Sequence, residues 1–99
     1  MSIAVEGFDW EEGNETKCQK HGVTLEEIEG FFQTQIYVAP DIKHSQDEDR
    51  FLAVGRLPSG RPLFVAFTLR NNLIRPISAR YMHEKEAQQY EQISPQNDQ

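Results

Sequence analysis

Residues 50–80 read RFLAVGRLPSGRPLFVAFTLRNNLIRPISAR, and their periodicity sets the architecture. Arg50–Leu57 is strand-like and runs into Pro58-Ser59-Gly60, a turn triplet. Pro62–Arg70 puts Leu63, Val65, Phe67 and Leu69 on one face of a strand and Phe64, Ala66, Thr68 and Arg70 on the other. Asn71-Asn72 fits a two-residue type I′ hairpin, because asparagine tolerates positive φ. Leu73–Arg80 closes the meander, and Pro76, which has no N–H to give, predicts an edge strand or a bulge there.

Upstream, Ile3 to Phe8 predicts a short first strand. Asp9 offers an N-cap with Glu12 three residues on, which predicts a polar surface helix over about residues 10–21, anchored by Trp10 and stopped by Gly22. Thr24 caps a second helix with Glu27 as box partner. Its stripe of Leu25, Ile28, Phe31 and Phe32 faces inward, and Glu26, Glu27 and Glu29 are expected to face water. Ile36-Tyr37-Val38 reads as a strand ended by Pro40, and Asp41–Asp49 as a polar loop. A last helix over about 83–92 would dock through Ala87, Tyr90 and Ile93, ahead of a flexible polar tail, 94–99. Two helices, an antiparallel meander and a terminal helix make one α+β domain, 1–93.

The 99 residues are 37% hydrophobic and 10% aromatic, enough for one core. One cysteine, Cys18, excludes an internal disulfide and a Cys-based zinc site. The first residues lack a basic start and apolar run, and no stretch nears the roughly 20 apolar residues of a membrane span, so a cytoplasmic chain without membrane contact is expected. The net charge of −6 is unevenly spread. Residues 1–49 set three lysines against twelve carboxylates, a balance of −9, while residues 50–85 set six arginines and Lys85 against Glu84, a balance of +6. Such a block can present a local positive field on an acidic molecule, or it can be a mixed surface that happens to segregate.

Four blocks stand together: Phe8-Asp9-Trp10-Glu11, Lys20-His21-Gly22-Val23 with Thr24-Leu25-Glu26-Glu27, Arg50-Phe51-Leu52-Ala53-Val54-Gly55-Arg56, and Ile77-Ser78-Ala79-Arg80, followed by Glu86 and Tyr90. In this order and spacing, over about residues 8–91, the chain resembles the BrnT family, the toxins of BrnT/BrnA toxin–antitoxin pairs. The resemblance implies a fold like the RelE ribonuclease toxins and RNA cleavage with no metal or cofactor. It also implies a cognate BrnA-like antitoxin carrying a ribbon-helix-helix domain, through which any DNA contact would come. The family more often has a lysine soon after the Trp-Asp pair, where Lys17 is the nearest here, and arginines in its last helix, where this chain has Ala87, Gln88 and Gln89.

Metal-independent RNA cleavage needs a base for the 2′-hydroxyl, cations for the phosphate and an acid for the 5′-oxygen. His21 can be acid or base, favoured in its charged form if it ends a helix, and Lys20 can supply a point charge. Arg56 and Arg80 can clamp phosphate oxygens, with Arg50 and Arg75 as further substrate contacts. Alternation puts Arg75 and Arg80 on opposite faces unless a bulge lies near Pro76. Tyr81 and Tyr90 can stack on a base, although Tyr90 also suits a core anchor. Each choice has a plainer counterpart: lysine and histidine suit a last helical turn, and strand-end arginines suit carboxylate partners. His44, amid Asp41, Asp47 and Asp49, matches no metal-ligand spacing. The ribonuclease reading expects folding to gather His21, Lys20, Arg56 and Arg80 around one cleft. The competing expectation is a catalytically inactive, partner-binding module on the same scaffold.

Overall fold

Antiparallel pairing organises the molecule. In the computed structural model, which describes residues 6–93, four strands lie in chain order across one sheet. They are β1 (Ile36–Pro40), β2 (Arg50–Arg56), β3 (Pro62–Arg70) and β4 (Leu73–Tyr81). Helices α1 (Glu12–Cys18) and α2 (Leu25–Phe31) cover one face, and α3 (Glu84–Ile93) covers one end of the other. The fold is α+β with a C-terminal helix, as the periodicity required.

Alternation sorts the sheet's two faces. Ala53, Leu63, Val65, Phe67, Ile74 and Ala79 are buried beneath Ile28, Phe31 and Phe32 of the helical layer. Phe32 meets Phe67 edge-on at 5.1 Å and Phe31 at 5.2 Å, a geometry that suits the ring quadrupoles. On the opposite face Val54 packs with Met82 and Ala87 of the α3 region, flanked by Tyr37 and Phe64. The hairpin at Asn71 and Asn72 has φ of +53° and +66°, the left-handed pair a type I′ turn needs.

β4 carries the irregularity that Pro76 announced. Its register against β3 shifts between Ala66, paired with Ser78, and Phe67, paired with Pro76, so Ile77 is the extra residue. Asn14 of α1 anchors this bulge. Its amide donates to the carbonyls of Pro76 at 2.9 Å and Asp9 at 3.1 Å, while its oxygen accepts the Glu11 N–H at 2.7 Å.

Several boundaries differ from the sequence reading. The cap of α1 is Glu11 boxed with Asn14, not Asp9 with Glu12, because the Asp9 N–H is already given to the Ile74 carbonyl. Residues 6–9 run along the edge of β4 with a single parallel bridge, Phe8 to Ile74; the rest of the expected Ile3–Phe8 strand lies outside the described residues, as does the 94–99 tail. α1 ends at Cys18, so Lys20 and His21 sit in the turn beyond it and not in a last helical turn. Gly22, at φ +92°, closes that turn. The Thr24–Glu27 box caps α2 as expected, but Glu27 and Glu29 are half-buried, and Glu29 accepts the Trp10 indole N–H at 2.8 Å.

Ion pairs fasten α3: Arg56 to Glu84 and Glu91, and Arg80 to Glu86 at 2.9 Å. The hydrogen bonds from Arg56 and Arg80 hold the carboxyls of Glu84 and Glu86 below the usual range. Their stabilisation is complete above the ordinary value of 4.5 and is lost as pH falls through the lowered native values. The urea midpoint should therefore hold steady from neutral pH down to about 5 and fall below that, with a smaller fall in Glu86→Gln. Asn14→Ala leaves the Glu11 N–H and the Pro76 carbonyl without this partner and should cost about 2–3 kcal/mol by urea unfolding.

Candidate active site

One end of the sheet, where β2 and β4 finish and β3 begins, gathers most of the chain's candidate chemistry. On the helical side, the α1–α2 turn leaves Lys20 and His21 exposed. Neither has a carboxylate within ion-pairing distance among the described residues. Tyr81, paired with Leu63 on the helical face, seats this turn: its hydroxyl lies 3.4 Å from the Gly22 carbonyl and donates to Glu27 Oε1 at 2.6 Å. The same carboxylate oxygen accepts the Thr24 N–H at 3.0 Å. Tyr81's hydrogen bond, then Thr24's, keeps the Glu27 carboxyl below the usual range, and the bond to Glu27 raises the Tyr81 phenol in return. Arg61 lies over the Tyr81 ring, its guanidinium carbon 3.4 Å from the centroid.

Arg56 and Arg80 occupy the opposite face, since Arg80 pairs with Phe64 and Arg56 with Pro62. Arg80 binds Glu86 through both terminal nitrogens and lies 4.8 Å over the Phe64 ring. Arg56 divides its donors among Glu84, Glu91 and the Gly60 carbonyl. Tyr90 of α3 lines a small hollow with Tyr37, Val54 and Met82 but is 39% exposed, so it is not the core anchor its spacing suggested.

The expectation of one common cleft is corrected by this geometry. His21 and Lys20 stand on one side of the sheet's end and Arg56 and Arg80 on the other, because β-strand alternation turns Arg80 away from the face that Tyr81 occupies. The bulge at Ile77 does return Arg75 to the face of Arg80, yet Arg75 lies near the far end of β4. There its Nη2 binds Glu11 at 2.9 Å, and its buried Nη1 lies 3.2 Å from Asp9, close enough to pair but off-line for a hydrogen bond. Arg50 is also remote, in a surface recess of about 290 Å³ with Lys43, His44, Asp47 and Glu48.

Glu27 and Arg61 are the residues at this end that sequence reasoning missed. The capping role of Glu27 hid its second bond, and only the β3–β4 register brings Arg61 to Tyr81. His44 holds Asp41 at 2.9 Å, and no group of three His, Cys, Asp or Glu side chains among the described residues is arranged to hold a metal ion. No helix among them is long and apolar enough to cross a membrane.

Comparison with known proteins adds identity to this geometry. No curated protein matches the chain. The family model described as ribonuclease toxin, BrnT, of type II toxin-antitoxin system matches residues 10–86, a span that takes in the α1–α2 turn, the whole sheet and the Arg80–Glu86 pair. The chain therefore belongs to the BrnT family of type II toxin–antitoxin ribonuclease toxins.

Proposed function

We propose that this toxin cleaves single-stranded RNA without a metal, at the sheet end that carries the Lys20–His21 turn. The observation that carries the reading is an exposed imidazole and ammonium on a turn whose Gly22 carbonyl lies 3.4 Å from the Tyr81 hydroxyl, with no carboxylate ion-paired to either among the described residues. RNA contains its own nucleophile, so the protein need only move protons and stabilise charge. The 2′-oxygen attacks the adjacent phosphorus as its proton leaves, the bond to the 5′-oxygen breaks, and that oxygen is protonated, leaving a 2′,3′-cyclic phosphate. His21 is the proton-transfer group and Lys20 stabilises the charge on the phosphate.

Arg56 and Arg80 serve the flanking phosphates of a strand that crosses the sheet end. They stand at that end on the α3 side, and a phosphate can take the place of a carboxylate in an arginine fork. Arg50 and Arg75, farther along the sheet, and Tyr90 on α3 rank as outlying substrate contacts. The protein works in the cytoplasm and is neutralised by a small ribbon-helix-helix antitoxin of the BrnA type. It has no direct DNA contact: α1 carries one basic residue, Lys17, α3 carries one, Lys85, and α2 carries none.

The same ion pairs favour a second reading, a catalytically inactive scaffold that only binds its partner. Arg56 and Arg80 have their donors occupied by Glu84, Glu86 and Glu91.

Two measurements separate these readings. Purified protein should cut RNA at the same rate with a chelator present, with His21→Ala lowering kcat by about 100-fold or more. Arg56→Ala and Arg80→Ala should mainly raise KM, by about 10-fold. Intact RNA and unaltered growth on expression would reject the ribonuclease reading. A tight antitoxin complex that persists when Lys20, His21, Arg56 and Arg80 are all replaced would then establish the scaffold.

A further inference from the structure

Arg61 differs from the other arginines at this end of the sheet. Arg56 and Arg80 are each held by carboxylates, as are Arg70 and Arg75 farther along it. Arg61 is exposed and makes no ion pair among the described residues. Its guanidinium is nevertheless placed, 3.4 Å above the Tyr81 ring, and that ring is itself fixed by the 2.6 Å bond from its hydroxyl to Glu27. The hydroxyl also approaches the Gly22 carbonyl, the residue after His21. A guanidinium stacked through its flat face keeps its in-plane N–H donors at the edge, where a phosphate can take two at once.

We propose that Arg61 is a phosphate-contacting catalytic residue of this chain, pre-oriented beside the Lys20–His21 turn by its stack on Tyr81, with Tyr81 and Glu27 as positioning residues. The inference rests on the ribonuclease reading for its substrate but not for its geometry. Arg61 supplies charge alone, since an arginine keeps its protons throughout the accessible pH range. Tyr81 does not donate the leaving-group proton, because its hydroxyl hydrogen is engaged by Glu27. What the stack contributes is order: an arginine on a loop normally gives up much rotamer freedom on binding, and one laid on a fixed ring has already given it up.

The test uses the full chain and two probes, a short single-stranded RNA with 2′-O-methyl groups that cannot be cut and the same sequence with free 2′-hydroxyls. Arg61→Ala should weaken binding of the uncuttable probe about 10-fold and reduce its salt slope by about 0.7, the change for one lost single-strand phosphate contact. On the cleavable probe it should lower kcat/KM by about 100-fold. Arg61→Lys should recover only part, because an ammonium neither forks nor stacks equally. Tyr81→Phe keeps the ring but frees it from Glu27, and should lose part of the binding, less than Arg61→Ala does. Tyr81→Ala should lose as much as Arg61→Ala, and the double variant no more than either, a non-additivity that general loosening would not produce. Unchanged urea midpoints for the exposed Arg61 variants secure the comparison.

Wild-type affinity and salt slope in Arg61→Ala, or fully additive losses, would overturn the inference while leaving a ribonuclease that His21→Ala still disables. A chain that cuts nothing but shows the binding pattern above keeps the Arg61 contact and discards the ribonuclease reading. A chain that binds neither probe overturns both.

Discussion

The carboxamide of Asn14 joins the start of α1, the incoming segment at Asp9 and the bulge of β4 in a single set of three hydrogen bonds. That junction decides the parity of β4. Before the extra residue Ile77, Ile74 and Pro76 face the helices; after it, Ala79 and Tyr81 do. Without the shift, the last turn of alternation would reverse, sending the Arg80 guanidinium toward the apolar layer and Tyr81 toward α3. An unpaired cation there would be costly to desolvate, and the α1–α2 turn would lose the hydroxyl that seats it. The faces that Arg80 and Tyr81 reach, and with Tyr81 the contact to the Gly22 carbonyl, therefore follow from one irregular residue and the side chain that satisfies its neighbour's carbonyl.

Charge segregation along the sequence does not become a positive face in space. The acidic N-terminal half and the carboxylates of α3 fold onto the arginine-rich meander: Glu48 meets Arg70, Asp9 and Glu11 meet Arg75, and α3 meets Arg56 and Arg80. The pairs that α3 makes with Arg56 and Arg80 are partly solvated, so they tether the helix lightly; burial of Ala87 and Met82 against Val54 is the firmer attachment. With a net charge of −6, long-range attraction for a polyanion is weak, and recognition must fall on cations that no carboxylate has claimed.

Much of the scaffold was legible because it obeys local rules. The limits of β3, the paired asparagines at positive φ and the Thr24–Glu27 box all follow from side-chain chemistry within a few residues. Pro76 announced a defect without saying which kind, since missing an N–H is compatible with either an edge or a bulge, and β4 has both. The failures are non-local. Asp9 has the side chain of a cap, but its backbone serves Ile74, 65 residues away in sequence, and no window around residue 9 contains that information. The separation of His21 from Arg56 and Arg80 is a matter of which face each reaches. Sequence alternation could set Arg80 against Tyr81, but it could not say on which side the α1–α2 turn would land.

The departures from the family pattern in the last helix have a local physical meaning. Ala87 is 3% exposed, packed with Val54 and Met82, so a long charged side chain there would have to leave that cluster or disrupt it. Gln88 and Gln89 are exposed and neutral, and the helix's charged contacts to the sheet are carboxylates directed at arginines. α3 therefore subtracts positive potential from the face it covers. On the helical side of the same sheet end Lys20, His21 and Arg61 make no ion pair among the described residues, and Glu27, whose carboxylate is bound by Tyr81 and Thr24, is the carboxylate that Arg61 acts on. This asymmetry makes the turn side, rather than the arginine-rich face that the sequence emphasises, the place where an anionic ligand meets the least competition.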